Sequence, residues 1–310
     1  MTETMRGIRV VEVASWTFVP AAGAVLADWG ADVIKIEHPV TGDPQRGLAA
    51  LGVMPGGASA GDFMMQVPNR GKRSVGLDLA SEAGREILRR LVASADVFLT
   101  NMLPSVRTKL RIDVDDIRAD NPAIVYVRGH GQGAHGPEAD KAAFDGTAYW
   151  ARAGMADTLR PAELTDPLGA RPAIGDVMGG LTIAGGIAAA LFERERRGVA
   201  RVVDVSLLNT GMWQLQADVA MTGALGIDDV IRFGGGRGGN PLVGNYPTKD
   251  GRFLFLNLMQ ADRFWPDLCT HLGRTDLIDD PRFANAAVRA EHAAECVEEL
   301  GAIFTSRTLD

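Results

Sequence analysis

"IRVVEVASWTFVPAAGAVLADWGADVIKIEH", residues 8–38, changes its hydrophobic period twice. "IRVVEVA" has the pattern of a strand. "PAAGAVLADWG" has that of a helix, with Pro20 at an N1-like position and Gly30 at a C-cap-like one, and "ADVIKIEH" returns to strand. Strand, helix and strand so closely spaced predict a βαβ unit, whose two strands must run parallel.

The pattern continues outward. "RSVGLDL" reads as a strand, "SEAGREILRRLVASA" as a helix capped by Ser81, and "DVFLT" as another strand. Two short helices, "PSVRTKL" and "DVDDIRADN", lead to the strand "AIVYVRGH". The loop "GHGQGAHGPEAD" follows at that strand's carboxyl end, where open α/β sheets bind ligands. "DGTAYWARAG" then resumes as helix, and "VMGGLTIAGGIAAALF" reads as a buried helix, short of the roughly 20 residues that span a bilayer. After the strand "ARVVDVS" and the helix "LLNTGMWQLQADVAMTG", the segment "VGNYPTKDGRFLFLNL" reads as two strands around an Asp-Gly turn, followed by an amphipathic "ADRFWPDLCTHLG". The expectation is an α/β fold: a large domain with a mostly parallel sheet over residues 1–224 and a smaller α+β domain over residues 225–310.

A net charge of −7 argues against a broad nucleic-acid footprint, so any phosphate site must be local. Cys269 and Cys296 show no CxxC spacing, which fits a reducing, cytoplasmic compartment, and the opening "MTETMRGIRVVEVAS" lacks the apolar core of a signal sequence. His38, His130, His135, His271 and His292 show no metal spacing, and no metal is expected. His130 and His135 lie in the candidate pocket loop, where acid–base work and plain exposure are both open. Lys72 and Arg73, just before a strand, are a phosphate site or a solvated charge pair.

Asp176, in "RPAIGDVMGGLTIAGGIAAALFERERRG" (residues 171–198), has two readings. It is a helix N-cap, contributing about 1 kcal/mol, or a reagent. In the second reading amide donors and the helix dipole keep it ionised, Gly175, Gly179 and Gly180 let substrate approach, and the carboxylate attacks a thioester while nearby N–H groups stabilise the oxyanion. The segment "FGGGRGGNP" contains G-x-G-x-x-G but does not open the helix of a βαβ unit, so it is read as a closing loop or a surface turn rather than a dinucleotide fingerprint.

These motifs, together with "NRGKRSVGLDL", "VFLTNMLPSVRTKL" and "GHGQGAHGP" in this order, resemble the class III CoA-transferase family, the CaiB/BaiF group. The resemblance implies a Rossmann-like, CoA-binding large domain and a small domain lacking the family's C-terminal return. Asp176 stands at the position of the family nucleophile, which forms an aspartyl anhydride and then an aspartyl-CoA thioester on the way from acyl-CoA donor to carboxylic acid acceptor. Coenzyme A is a substrate, with no tightly bound cofactor. Its contacts carry over to Trp16, Thr17, His38, Lys72, Arg73, Asn101, Met102 and Lys109. Gly235, Gly236, Gly238 and Gly239 match the loop that shields the intermediate. Phe144-Asp145 stands where racemases of the family carry His-Asp, which favours transfer over racemisation of a 2-methylacyl-CoA. The family implies an interlocked homodimer, and the short chain leaves open a heteromer with a related subunit, or a non-catalytic CoA-binding subunit of one. Neither nucleic acid nor membrane is an expected partner.

Overall fold

The computed structural model describes residues 3–48, 62–231 and 239–310. The chain forms two units, one of Met1–Ala156 with Gly169–Met221, the other of Asp157–Leu168 with Thr222–Asp310.

In the first unit the strands are β1 (Arg9–Val13), β2 (Asp32–Glu37), β3 (Arg73–Gly76), β4 (Val97–Thr100), β5 (Val125–His130) and β6 (Val202–Ser206). They form one sheet in the order β3-β2-β1-β4-β5-β6, with every pairing parallel. This is the doubly wound Rossmann order. The helices are α1 (Phe18–Asp28), α2 (Phe63–Gln66), α3 (Glu82–Val92), α4 (Pro104–Leu110), α5 (Val114–Asp120), α6 (Met155–Thr158), α7 (Ile174–Arg197), α8 (Leu207–Gln214) and α9 (Gln216–Leu225), with α6 and α9 each running past a segment end of the unit. A π-helix occupies Gly146–Arg152.

The alternation read in "RVVEV" decides which side chain faces which layer. Val11 and Val13 join Ile34, Ile36, Phe98 and Tyr126 in a core closed by Leu88 and Val92 of α3 and Ile117 of α5. Glu12, between them, points the other way, toward Gly23 of α1. Ser81 caps α3, its Oγ accepting from Gly84 N at 3.0 Å. Pro20 is not at N1: α1 begins at Phe18, which puts Pro20 in the third position, where a missing N–H is still harmless.

α7, with 24 residues, is long and apolar enough by composition to cross a bilayer, more than its sequence suggested. It packs on α1 instead, and its glycines serve that packing. A Cβ on Gly179 would lie 2.3 Å from the Phe18 ring, and one on Gly180 would lie 2.6 Å from Ala21 Cβ and 3.0 Å from two backbone atoms of α1. The expectation that these glycines admit substrate is therefore corrected, because α1 already fills the space. Gly180→Val is expected to cost about 3 kcal/mol of stability through overpacking. An unchanged denaturation midpoint would contradict that role.

The second unit contains β7 (Val243–Pro247) and β8 (Phe253–Asn257), an antiparallel pair, with α10 (Ala261–Leu272), α11 (Ala286–Glu291) and α12 (Ala293–Thr305). Its core gathers Tyr246, Trp265, Cys269, Phe283, Cys296, Leu300 and Phe304.

Candidate active site

In a doubly wound sheet the chain leaves neighbouring strands β1 and β4 toward opposite sides, opening a crevice at their carboxyl ends. Asn101, immediately after β4, ties the two lips: its Nδ2 donates to Ser15 O at 2.7 Å, and Ser15 N donates to its Oδ1 at 3.1 Å. Trp16 follows in the left-handed region at φ 68°, a costly conformation for a bulky residue. Asp43 holds it there, with Oδ1 accepting from Trp16 N at 3.1 Å and from Gln45 N at 3.0 Å. The indole then meets Phe144 edge-on, with centroids 5.4 Å apart.

Asp43 belongs to a buried charge cluster. Lys35 Nζ lies 2.9 Å from Asp43 Oδ2 and 3.3 Å from Glu12 Oε1, and donates to Ala14 O at 2.8 Å. Lys72 Nζ lies 2.7 and 2.8 Å from the Glu12 oxygens. Burial alone would lower the Lys35 pKa, but Glu12 and Asp43 outweigh it and hold the ammonium above its ordinary value. For Lys72 burial wins, helped by the charge of Lys35, and its pKa falls to about 8.

Two cavities open along the crevice and share Met102. The first, of about 340 Å³, is lined by Ser15, Glu37, His38, Asp43, Asp78 and Leu110 among others. The second, of about 290 Å³, is lined by Trp16, Asn101, His130, Lys141, Phe144 and Asp176 among others. At the first, His38 Nδ1 accepts from Val40 N at 3.3 Å and Thr41 N at 3.2 Å, which assigns the ring proton to Nε2 as a donor. Arg46, with help from Ser74, holds the Glu37 carboxyl down at about 2 against burial.

Asp176 is not the N-cap of α7. Ala173 occupies that position at φ 58°, without a side-chain cap, and Asp176 is third in the first turn. The capping group comes from elsewhere: the Gly175 and Asp176 amides face the carboxylate of Asp145, a buried residue just before the π-helix, and lower its pKa, although burial raises it more. Asp145 Oδ1 is buried without a well-aligned hydrogen bond, so the carboxylate caps the first turn by its charge. Asp176 therefore lacks the amides expected to keep it ionised. Burial, then the charge of Asp145, pushes its pKa up to about 7. The same orientation denies those two N–H groups to an oxyanion. Gly175 allows the approach, since a Cβ there would lie 2.2 Å from the Tyr149 ring and 2.3 Å from Asp145 Oδ1.

Trp16, Asn101, Met102, Phe144 and Asp176 thus meet in the second cavity, with His38 at the first. Other expected contacts do not join them. Lys72 is buried with its donors committed to Glu12, Pro20 O and Asn69, and Arg73 forks onto Asp32. Lys72 precedes β3 and Arg73 opens it, and the amino end of a parallel strand lies at the sheet edge opposite the ligand crevice. Thr17 is buried, its hydroxyl donating to Gln45 Oε1 at 3.2 Å. Lys109 is exposed on α4, outside both linings, and so is His135 on its loop. Gly239 takes a positive φ of 75°, while Gly235, Gly236 and Gly238 lie outside the described residues. Glu37, Asp43 and Asp78 were missed. The ends of β2 and β3, which an open parallel sheet turns toward its ligand, were the available signal for Glu37 and Asp78.

An open parallel sheet with a crevice at its switch point, and a carboxylate of raised pKa on its floor, defines an α/β protein of the kind that binds nucleotide-linked substrates. The chain belongs to CoA-transferase family III, whose pattern it matches over residues 5–310. It is 31% identical over 306 residues to (R)-2-hydroxy-4-methylpentanoate CoA-transferase of Clostridioides difficile, covering 99% of this chain and 75% of that one. To cinnamoyl-CoA:phenyllactate CoA-transferase of Clostridium sporogenes it is 33% identical over 282 residues, covering 91% and 68%. The crystal structure of a CaiB/BaiF family protein from Brucella suis superposes with a TM-score of 0.82 at 29% identity, covering 99% and 79%. The protein is a class III CoA-transferase, moving CoA between an acyl-CoA and an acid.

Proposed function

We propose that Asp176 is the nucleophile of this transfer. One observation carries the reading: Asp176 lines a cavity that shares Met102 with a second cavity built at the ends of β1 to β4, so a thioester carbonyl beside Asp176 has room for its CoA tail. An Asp176 oxygen attacks the donor carbonyl and the C–S bond breaks, giving a mixed anhydride and CoA thiolate. The thiolate attacks the aspartyl carbonyl, releasing the donor acid and leaving aspartyl-CoA. The acceptor carboxylate attacks that thioester and expels the thiolate, which takes the acceptor acyl group and restores the Asp176 carboxylate. CoA enters as a substrate in this scheme, and its nucleotide end takes the cavity of His38 and Glu37.

The free Cys269 and Cys296 support a cytoplasmic setting. Val177, Met178 and Leu181, which α7 leaves exposed, support assembly as a homodimer.

The pH dependence tests the nucleophile. Attack needs ionised Asp176, so kcat/KM is expected to rise with pH to a plateau above about 7. Asp145→Asn removes the like charge and moves that limb to lower pH, although burial, the larger cause, remains. A carboxyl whose pKa is raised on folding binds its proton more tightly in the native state, so its contribution to stability is lost as pH rises from about 4 to about 7. A limb unmoved by Asp145→Asn would count against Asp176 as the titrating group.

A further inference from the structure

The cavity beside Asp176 has apolar walls in Trp16, Phe18, Leu103, Phe144 and Leu207. Of its other polar side chains, Asn101 bonds Ser15 through both amide atoms and Lys141 pairs with Glu138 at the surface. His130 differs. It is the last residue of β5, its side chain is 7% exposed, and its Nε2 lies 2.8 Å from Asp204 Oδ1 on β6. Arg128, two residues earlier and so on the same strand face, forks onto Asp204 at 2.7 and 2.9 Å. Burial opposes ionisation of Asp204, but His130 and Arg128 outweigh it and hold that carboxyl far below the usual range. An ionised carboxylate only accepts, so the imidazole proton belongs on Nε2. In the neutral ring Nδ1, with no hydrogen bond to the described residues, is then the acceptor, on a residue that lines the cavity.

We propose that His130 determines acyl specificity: its Nδ1 accepts a hydrogen bond from a hydroxyl on the acyl chain, and the preferred substrates are hydroxyacyl-CoA thioesters. This rests on the reading of the cavity as the acyl site next to Asp176. The chemistry discriminates among acyl groups. An unsubstituted chain leaves Nδ1 unpaired on a side chain that is only 7% exposed, a cost that a hydroxyl removes. A free carboxylate offers Nδ1 no proton and meets the like charge of Asp176. Asp204 acts through His130, as a positioning residue that fixes its tautomer.

Calorimetric titration of the full chain carrying Asp176→Ala reads binding apart from any covalent step. The probes are butyryl-CoA and the positional isomers of hydroxybutyryl-CoA. At least one isomer is expected to bind about tenfold or more tighter than butyryl-CoA. Adding His130→Phe should erase that preference, and His130→Gln, whose amide oxygen still accepts, should retain part of it. Equal affinities for all the thioesters, or a preference that survives His130→Phe, would overturn the proposal alone. Failure to bind any of them would overturn the acyl-site reading and this one with it. The comparison in the Asp176→Ala chain decides even where a His130 variant does not fold.

Discussion

Asp176→Ala is expected to lower kcat by about 10⁴-fold or more, the scale seen when a covalent nucleophile is removed. The loss should be in chemistry rather than in folding. Asp176 sits against Asp145, so its removal relieves a like-charge pair and leaves no buried partner stranded. CoA affinity should stay close to the wild-type value, since the cavity of His38 and Glu37 is untouched. Retained turnover in a correctly folded variant would end the covalent reading, whatever the fate of the fold assignment.

Glu12→Gln is expected to have the largest effect on stability, about 3–5 kcal/mol, because it takes the paired carboxylate from buried Lys72 and leaves buried Lys35 with Asp43 alone. Glu12 is fully buried, and the side chains of Lys35 and Lys72 are each only 2% exposed. Lys72, already lowered to about 8, falls further without its carboxylate and sheds its proton more readily in the folded chain than in the unfolded one. Unfolding then takes up a proton, so the variant should recover stability as pH rises. Guanidinium denaturation at two pH values on either side of neutrality checks both the size and the sign. A deficit that grows with pH would show that Lys72 is not the group left unpaired. Activity should suffer as well, since Lys35 and Asp43 brace Ala14 and the left-handed backbone of Trp16.

How much of this was legible depends on the range of the interaction. The βαβ unit of residues 8–38 was written in local periodicity, and with it came the parallel sheet and the ligand crevice at its carboxyl end. Trp16, Asn101 and Met102 came from the family resemblance, and the structure places them just beyond strands that end at the switch point. Lys72 came the same way but does not join them. Its partner Glu12 is 60 residues away in sequence, and no local pattern distinguishes a lysine that meets a phosphate from one that neutralises a buried glutamate. The glycines of α7 misled for a similar reason: a missing Cβ makes room, and only the third dimension shows that α1 takes it. Asp145 was found as a neighbour of the site, but its action on the first turn of α7 depends on two segments meeting, and that meeting changes the expected charge state of Asp176.

The central claim is that CoA passes through a covalent bond to Asp176, and mass measurement of the intact chain tests it most directly. After incubation with an acyl-CoA and no acceptor acid, the wild type is expected to gain the mass of CoA less water, on a peptide containing Asp176. Borohydride should remove the added CoA by reducing the thioester, and Asp176→Ala should gain nothing. An active wild type that shows no adduct on rapid quenching, or an adduct that maps to another carboxylate, would contradict the account.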